Sequence, residues 1–108
     1  MISIDDFKKL EIKIGLILAV EKVPDTDKLL KLSVDMGEDS PRQIISGISA
    51  FFPDPQVLIN KKCAFAANLE PRTIKGFESQ GMILAVSDDD FFSLLETTSD
   101  VIPGSSVK

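Results

Sequence analysis

Histidine, tryptophan and tyrosine are absent from this 108-residue chain, and cysteine occurs once. With no histidine and only Cys63, the usual transition-metal ligand sets and the histidine-based catalytic triads are excluded. No metal, cofactor or catalytic residue is assigned. Cys63 has no partner for an internal disulfide, and its flanks in KKCAFAAN read as those of a small buried strand residue. No apolar run reaches the roughly eighteen residues that a spanning helix needs, and MISIDDFKK lacks the basic-then-apolar order of a secretory signal. The expectation is a soluble, cytoplasmic protein without a membrane partner.

Basic charge is also scarce, with 12 Lys and Arg against 17 Asp and Glu and a formal net charge of −5. A nonspecific nucleic-acid binder carries the opposite balance. The acidity is uneven, however. Residues 1–86 hold 11 bases and 12 acids, whereas residues 87–107 hold five acids (Asp88, Asp89, Asp90, Glu96, Asp100) and no base. Such a chain can carry a local basic face, which suits a shaped RNA better than bulk attraction to a polyanion. Asp88 to Asp90 read as a solvated acidic turn, because no glycine and glutamate follow in calcium-loop order.

A length of 108 residues with 44% hydrophobic content supports one small core, so residues 1–108 are taken as a single domain. Ser3 and Asp6 resemble a capping box, and Ile4, Phe7 and Leu10 recur at helical spacing, which predicts a short helix over about 3–10. The period then changes to two. Ile12, Ile14, Leu16, Leu18 and Val20 fall on one face, with Lys13, Gly15, Ile17, Ala19 and Glu21 on the other, predicting a strand with a bulge or sharp coil at Gly15. A second strand is expected over about 29–36, with Leu30, Leu32, Val34 and Met36 inward and Leu29, Lys31, Ser33 and Asp35 outward. A third covers Arg42 to Ser46. SAFFPDPQVLINKK reads as a connector holding at most a short helical turn. Lys62 to Ala67 and Met82 to Val86 are the fourth and fifth strands, and the alanines of the fourth leave room for a close neighbour. Five short strands of this kind predict an all-β fold, a five-stranded Greek-key barrel of the OB type with a short N-terminal helix. The barrel would occupy about 11–87. The surplus apolar groups of the extension 88–108 then need cover, either on the N-terminal helix or across a dimer interface.

Between the last two strands runs NLEPRTIKGFESQGMIL, Asn68 to Leu84, which reads as an exposed loop. It joins a proline corner at Pro71, cations at Arg72 and Lys75, glycines at Gly76 and Gly81, and the polar groups of Asn68, Ser79 and Gln80. Proline restricts the unbound chain, glycine lets backbone amides approach a partner, and arginine offers a planar fork that fits phosphate. These are the parts of a polyanion-reading loop.

The run NL-PR-x(3)-G-x(2)-SQGM, together with DKLLKLSVDMG (Asp27 to Gly37) and RQIISGI (Arg42 to Ile48), closely resembles the tRNA-binding domain found at the C-terminus of many methionyl-tRNA synthetases and as small free-standing proteins. The likeness extends over nearly the whole chain. It implies a non-catalytic tRNA-binding protein that recognises structured tRNA by shape and backbone charge, forms a homodimer, and serves as an accessory to methionyl-tRNA synthetase. Thr73 stands where a lysine is common in that family, and SAFFPDPQV is irregular where relatives carry a smoother helical turn.

The candidate RNA-binding residues are Lys28, Lys31, Arg42, Asn68, Arg72, Lys75, Ser79, Gln80 and Met82. Arg72 and Lys75 would engage phosphates, and Lys31 and Arg42 would extend the basic face. Each has a plainer alternative: Asn68, Ser79 and Gln80 as turn caps, Met82 as core, the cations as solvated surface. Lys61 and Lys62 stand between the two readings. The seven phenylalanines look mostly buried, so stacking platforms are few, with Phe77 in the loop the exception. Two other classes remain open: an export-chaperone-like barrel that holds extended peptide, and a module that docks on a synthetase with RNA contacts incidental.

Overall fold

The computed structural model describes residues 1–108. It contains a one-turn helix α1 (Ile4–Phe7) and ten strands: β1 (Ile12–Lys22), β2 (Leu30–Asp35), β3 (Arg42–Ser46), β4 (Lys62–Ala66), β5 (Arg72–Ile74), β6 (Phe77–Ser79), β7 (Met82–Ile83), β8 (Ala85–Ser87), β9 (Phe92–Leu94) and β10 (Ser106–Val107). Two 3-10 turns, Ser49–Phe51 and Pro55–Leu58, fill the connector between β3 and β4. The main antiparallel sheet runs β3-β2-β1-β4-β7, with β10 added to β1. The expected all-β class holds, as an OB-like barrel. No helix is long and apolar enough to cross a membrane.

Strict alternation makes β2 the central inner wall. Leu30, Leu32 and Val34 are fully buried with Met36 beyond them, and they meet Ile17 and Val20 of β1, Ile44 of β3 and Phe65 of β4 in one cluster. Burial of about 1.5–3 kcal/mol per large side chain at this wall drives the sheet to curl on itself.

In β1 the structure departs from simple alternation. Register slips between Ile17 and Ala19, so the bulge sits at Leu18 and not at Gly15. Before it Ile17 faces the core; after it Val20 does, and Leu18 is turned outward. Gly15 has a different task. A Cβ there would lie 2.5 Å from Val34 Cγ1, 2.6 Å from Met36 Sδ and 3.0 Å from Phe65 Cδ1, so the absent side chain is what lets three core residues meet.

Three further expectations are corrected. The first helix closes its capping box (Asp6 N–H to Ser3 Oγ, 3.0 Å) but stops at Phe7 and not at Leu10, because it buries no residue that would extend it. The stretch 68–84 is not a loop throughout: β5 and β6 pair as a hairpin of their own, Ile74 opposite Phe77. Lys75 (φ 52°) and Gly76 (φ 84°) form its two-residue turn, the arrangement that matches strand twist. The fifth strand, expected from Met82 to Val86, is divided at Leu84: β7 pairs with β4, whereas β8 turns away to pair with β9.

That partner comes from the acidic extension, which also sends Leu94 into the core. Further on, β10 lies against β1, with Val107 opposite Ile12. The tail is fastened by charge as well, Lys61 to Glu96 (3.2 Å) and Lys62 to Asp100. Cys63, which follows these lysines in β4 and is fully buried, has its thiol pushed up to about 11 by desolvation, aided by Glu96.

Gly15→Ala is expected to cost about 1–3 kcal/mol through overpacking. Urea unfolding will read this as a lower midpoint at unchanged slope. An unaltered midpoint would mean that Val34 and Met36 give way freely.

Candidate nucleic-acid interface

The hairpin lies beside the β3 edge, and the candidate residues fall into two groups around it. One group is occupied inside the protein. Ser79 is buried; its Oγ accepts the Ile45 N–H (3.0 Å) and donates to the Gly81 carbonyl (3.0 Å). Gln80 accepts the Gln43 N–H through Oε1 (2.9 Å) and donates its own N–H to the Gln43 carbonyl (2.8 Å). Its Nε2 keeps no protein partner.

Arg42 lays its fork on Glu38, with Nε and a terminal nitrogen each 2.8 Å from a carboxylate oxygen. Its remaining terminal nitrogen donates to the carbonyls of Ala67 and Gln80. The hydrogen bond from Arg42, opposed by partial burial and aided by the Arg42 charge, holds the Glu38 carboxyl below the usual range, and Arg42 is raised in return. This contribution is therefore present at neutral pH and is lost only as pH falls through the lowered Glu38 pKa. Asn68 ties the N-terminal segment to the end of β4, accepting from the Glu11 N–H (2.8 Å) and donating to the Lys9 carbonyl (2.6 Å).

The second group faces solvent. Arg72 and Lys75 are exposed and make no ion pair, one at the base of the hairpin and the other at its tip. Lys31 stands on the outer face of β2 with its ammonium 4.9 Å from the centre of the Phe77 ring, a cation–π contact that joins the hairpin to the sheet. The same ammonium is 3.5 Å from Glu21. Lys31 and Arg42 line one polar cleft with Glu21, Ser33 and Gln43. Arg72 and Met82 line a second groove, of about 670 Å³, whose walls are Leu29, Ile45, Ile48, Ile74 and Ile83. Met82 is not core but half exposed. Lys28 is exposed in the turn before β2, its backbone N–H on Thr26 Oγ1. Lys61 and Lys62 are spent on the tail.

Gln43 and Glu38 were not singled out by the sequence. Gln43 alternates as an ordinary outward strand residue, and its Nε2 bond to the Glu78 carbonyl (2.9 Å) spans 35 positions. Only the i, i+4 spacing of Glu38 and Arg42 carried a hint.

The structure is thus a curled sheet with a hairpin beside its open edge, two unpaired cations on that hairpin and a third stacked on it. The family whose description reads "Putative tRNA binding domain" matches residues 12–106. The chain belongs to that family. It is 46% identical over 107 residues to a methionine–tRNA ligase of Lactococcus lactis and 49% identical over 108 residues to that of Methanoregula boonei, covering 98% and 100% of this chain. It spans 16% of the length of each. Among solved structures, a MetRS-related protein from Pyrococcus horikoshii superposes with a TM-score of 0.92 at 37% identity, covering 100% of this chain and 98% of that one. The chaperone CsaA of Bacillus anthracis superposes at 0.86 with 25% identity, covering 100% and 99%.

Ser79→Ala leaves the buried Ile45 N–H without an acceptor and should cost about 1–3 kcal/mol of stability. Denaturant titration measures it. A variant as stable as the parent would show that Ser79 does not hold the edge.

Proposed function

We propose that the chain binds structured RNA of the tRNA type by shape and backbone charge, without chemistry of its own, and acts as an accessory to a methionine–tRNA ligase in the cytoplasm. Residues 1–108 work as one unit, with the barrel over about 11–87. The observation that carries this reading is the hairpin. It presents Arg72 and Lys75 unpaired, whereas Lys31 and Arg42 are held by carboxylates. Arg72 and Lys75 contact phosphates, Lys31 adds a third charge beside them, and Lys28 extends the basic side toward the start of β2. Gln80 offers its open Nε2, and Met82 lies against the nucleotide nearest Arg72. Arg42, Asn68 and Ser79 contribute by holding the frame.

Arg72→Gln with Lys75→Asn removes both charges while asparagine tolerates the left-handed turn position. Filter binding with total tRNA over a salt series should show weaker binding and a slope of log K against log salt flatter by about 0.7 to 0.9 per lost phosphate contact. An unchanged slope removes both residues from the interface.

The groove beneath Arg72 favours a second reading. Its apolar walls fit an extended peptide, and the likeness to CsaA supports that use. Competition between tRNA and an unfolded polypeptide separates the two: displacement of tRNA by polypeptide places both in this groove.

We further propose a homodimer through the face of α1 and β10. Ile4, Leu10 and Val107 are exposed there around an apolar cleft of about 350 Å³, which the same face of a second copy would cover. Ile4→Asp, at an exposed helix start that favours acid, should convert the dimer to monomer in sedimentation velocity with an unchanged circular dichroism spectrum. A wild-type protein already monomeric at micromolar concentration would refute the assignment.

A further inference from the structure

Three phenylalanines meet at the junction of the connector and the acidic extension. Phe51 and Phe92 stack with ring centroids 4.0 Å apart and planes 5° from parallel, and Phe52 meets Phe92 edge-on at 5.8 Å. Phe52 and Phe92 pack against the core, so the platform is anchored from beneath. Phe51 is 49% exposed, and Phe91, which precedes Phe92 in the chain, is 53% exposed. A cleft of about 330 Å³ opens beside them, between Phe51, Phe52, Phe92, Leu94, Lys61 and Glu96.

Rings held rigidly by two distant segments and yet left half bare are poor solubility design and good docking design. Their surroundings decide the occupant. Asp88, Asp89 and Asp90 form the turn that carries Phe91, and Asp88 Oδ1 fixes it by accepting the Asp90 N–H (2.8 Å). Asp54 follows Phe52 by two residues, capping the next 3-10 turn. Glu96 lines the cleft, and its neighbour Lys61 is neutralised by it. One cation approaches from the connector side, Lys28, whose carbonyl accepts the Ser49 N–H (3.1 Å).

A nucleobase stacks on such rings in RNA-binding proteins, but its phosphates would enter a field of carboxylates here. A cationic polypeptide meets both features favourably. An apolar side chain covers Phe51, arginine stacks on the exposed ring face, and the remaining bases face Asp88 to Asp90.

We infer that the Phe51–Phe52–Phe92 platform and its aspartate rim form a second docking surface, for a basic polypeptide segment with apolar anchors. Lys61 and Asn68 flank β4 on either side, about 23 Å apart at strand spacing, so the cleft beside Lys61 opens at the other end of that strand from the hairpin.

The test uses the full chain and a short synthetic peptide of alternating leucine and arginine, titrated calorimetrically at low salt. Control ligands are a peptide with glutamate for arginine, one with serine for leucine, and an oligouridylate. Binding of the leucine–arginine peptide should weaken at least about fivefold in Phe51→Ala. In Asp89→Asn with Asp90→Asn it should weaken and lose part of its salt dependence, while tRNA binding stays unchanged in both variants. Phe51 is exposed and outside the core cluster, so its truncation leaves the fold intact. Peptide affinity indifferent to Phe51→Ala, or equal for the serine or glutamate peptide, overturns the inference. Loss of oligouridylate binding in Phe51→Ala assigns the platform to RNA instead. A change in self-association on that substitution assigns it to a second copy of this chain, and also overturns the inference.

Discussion

Closing the barrel without a ladder is the constraint on which the rest depends. β3 is the last strand of the main sheet on one side and β7 on the other, and the hairpin intervenes before they can pair. The gap is spanned by one backbone bond, from the Gln80 N–H to the Gln43 carbonyl, and otherwise by side chains. Ser79 Oγ and Gln80 Oε1 take the N–H groups of Ile45 and Gln43, and Arg42 reaches the carbonyls of Ala67 and Gln80. An open edge here would leave polar backbone unpaired near the core and offer a template to other chains. Gly81 belongs to the same closure. Its φ of 152° and the 3.0 Å that would separate a Cβ from the Ala66 carbonyl leave little room for any side chain.

Charge is divided by the same fold. Of the five acids between 87 and 107, Glu96 and Asp100 are consumed by Lys61 and Lys62 at the start of β4. Those pairs are exposed enough to contribute little stability individually. Their larger consequence is electrostatic. They pin the extension near one end of β4 and keep its carboxylates off the hairpin, which leaves Arg72 and Lys75 facing solvent near the other. A net charge of −5 is thereby compatible with a local cationic surface.

Much of this was legible in the residues. Alternation in β2 named its inner face correctly, because that strand packs on one side only, and Arg42 to Ser46 matched β3 to the residue. The hairpin escaped because its two-residue turn places Lys75, not glycine or asparagine, at the first left-handed position, so the usual turn dipeptide is masked. β1 misled for another reason: a strand that curls round a barrel changes face at a bulge, and Leu18, an apolar residue turned outward, gives no sign of it. The candidate residues of the 68–84 stretch were named as a group. Their division into frame and contact depends on partners far off in the chain, such as Ile45 for Ser79 and Glu38 with two carbonyls for Arg42, and pattern alone does not contain those distances.

That division has a consequence for how the hairpin binds. A loop of this length left loose would lose conformational freedom on meeting a ligand, and the loss subtracts directly from affinity. Here its base is fixed by Ser79 and Gln80, its tip by a two-residue turn, and its middle by Phe77 under the Lys31 ammonium. Phe77 is thus engaged by the protein's own cation, and stacking on a base would have to displace that contact. Under the proposed function, a surface with its one loop aromatic occupied would read contour and charge, and rigidity would supply what base stacking otherwise gives. The polar residues of the SQG run would then contribute to recognition by making the hairpin stand still.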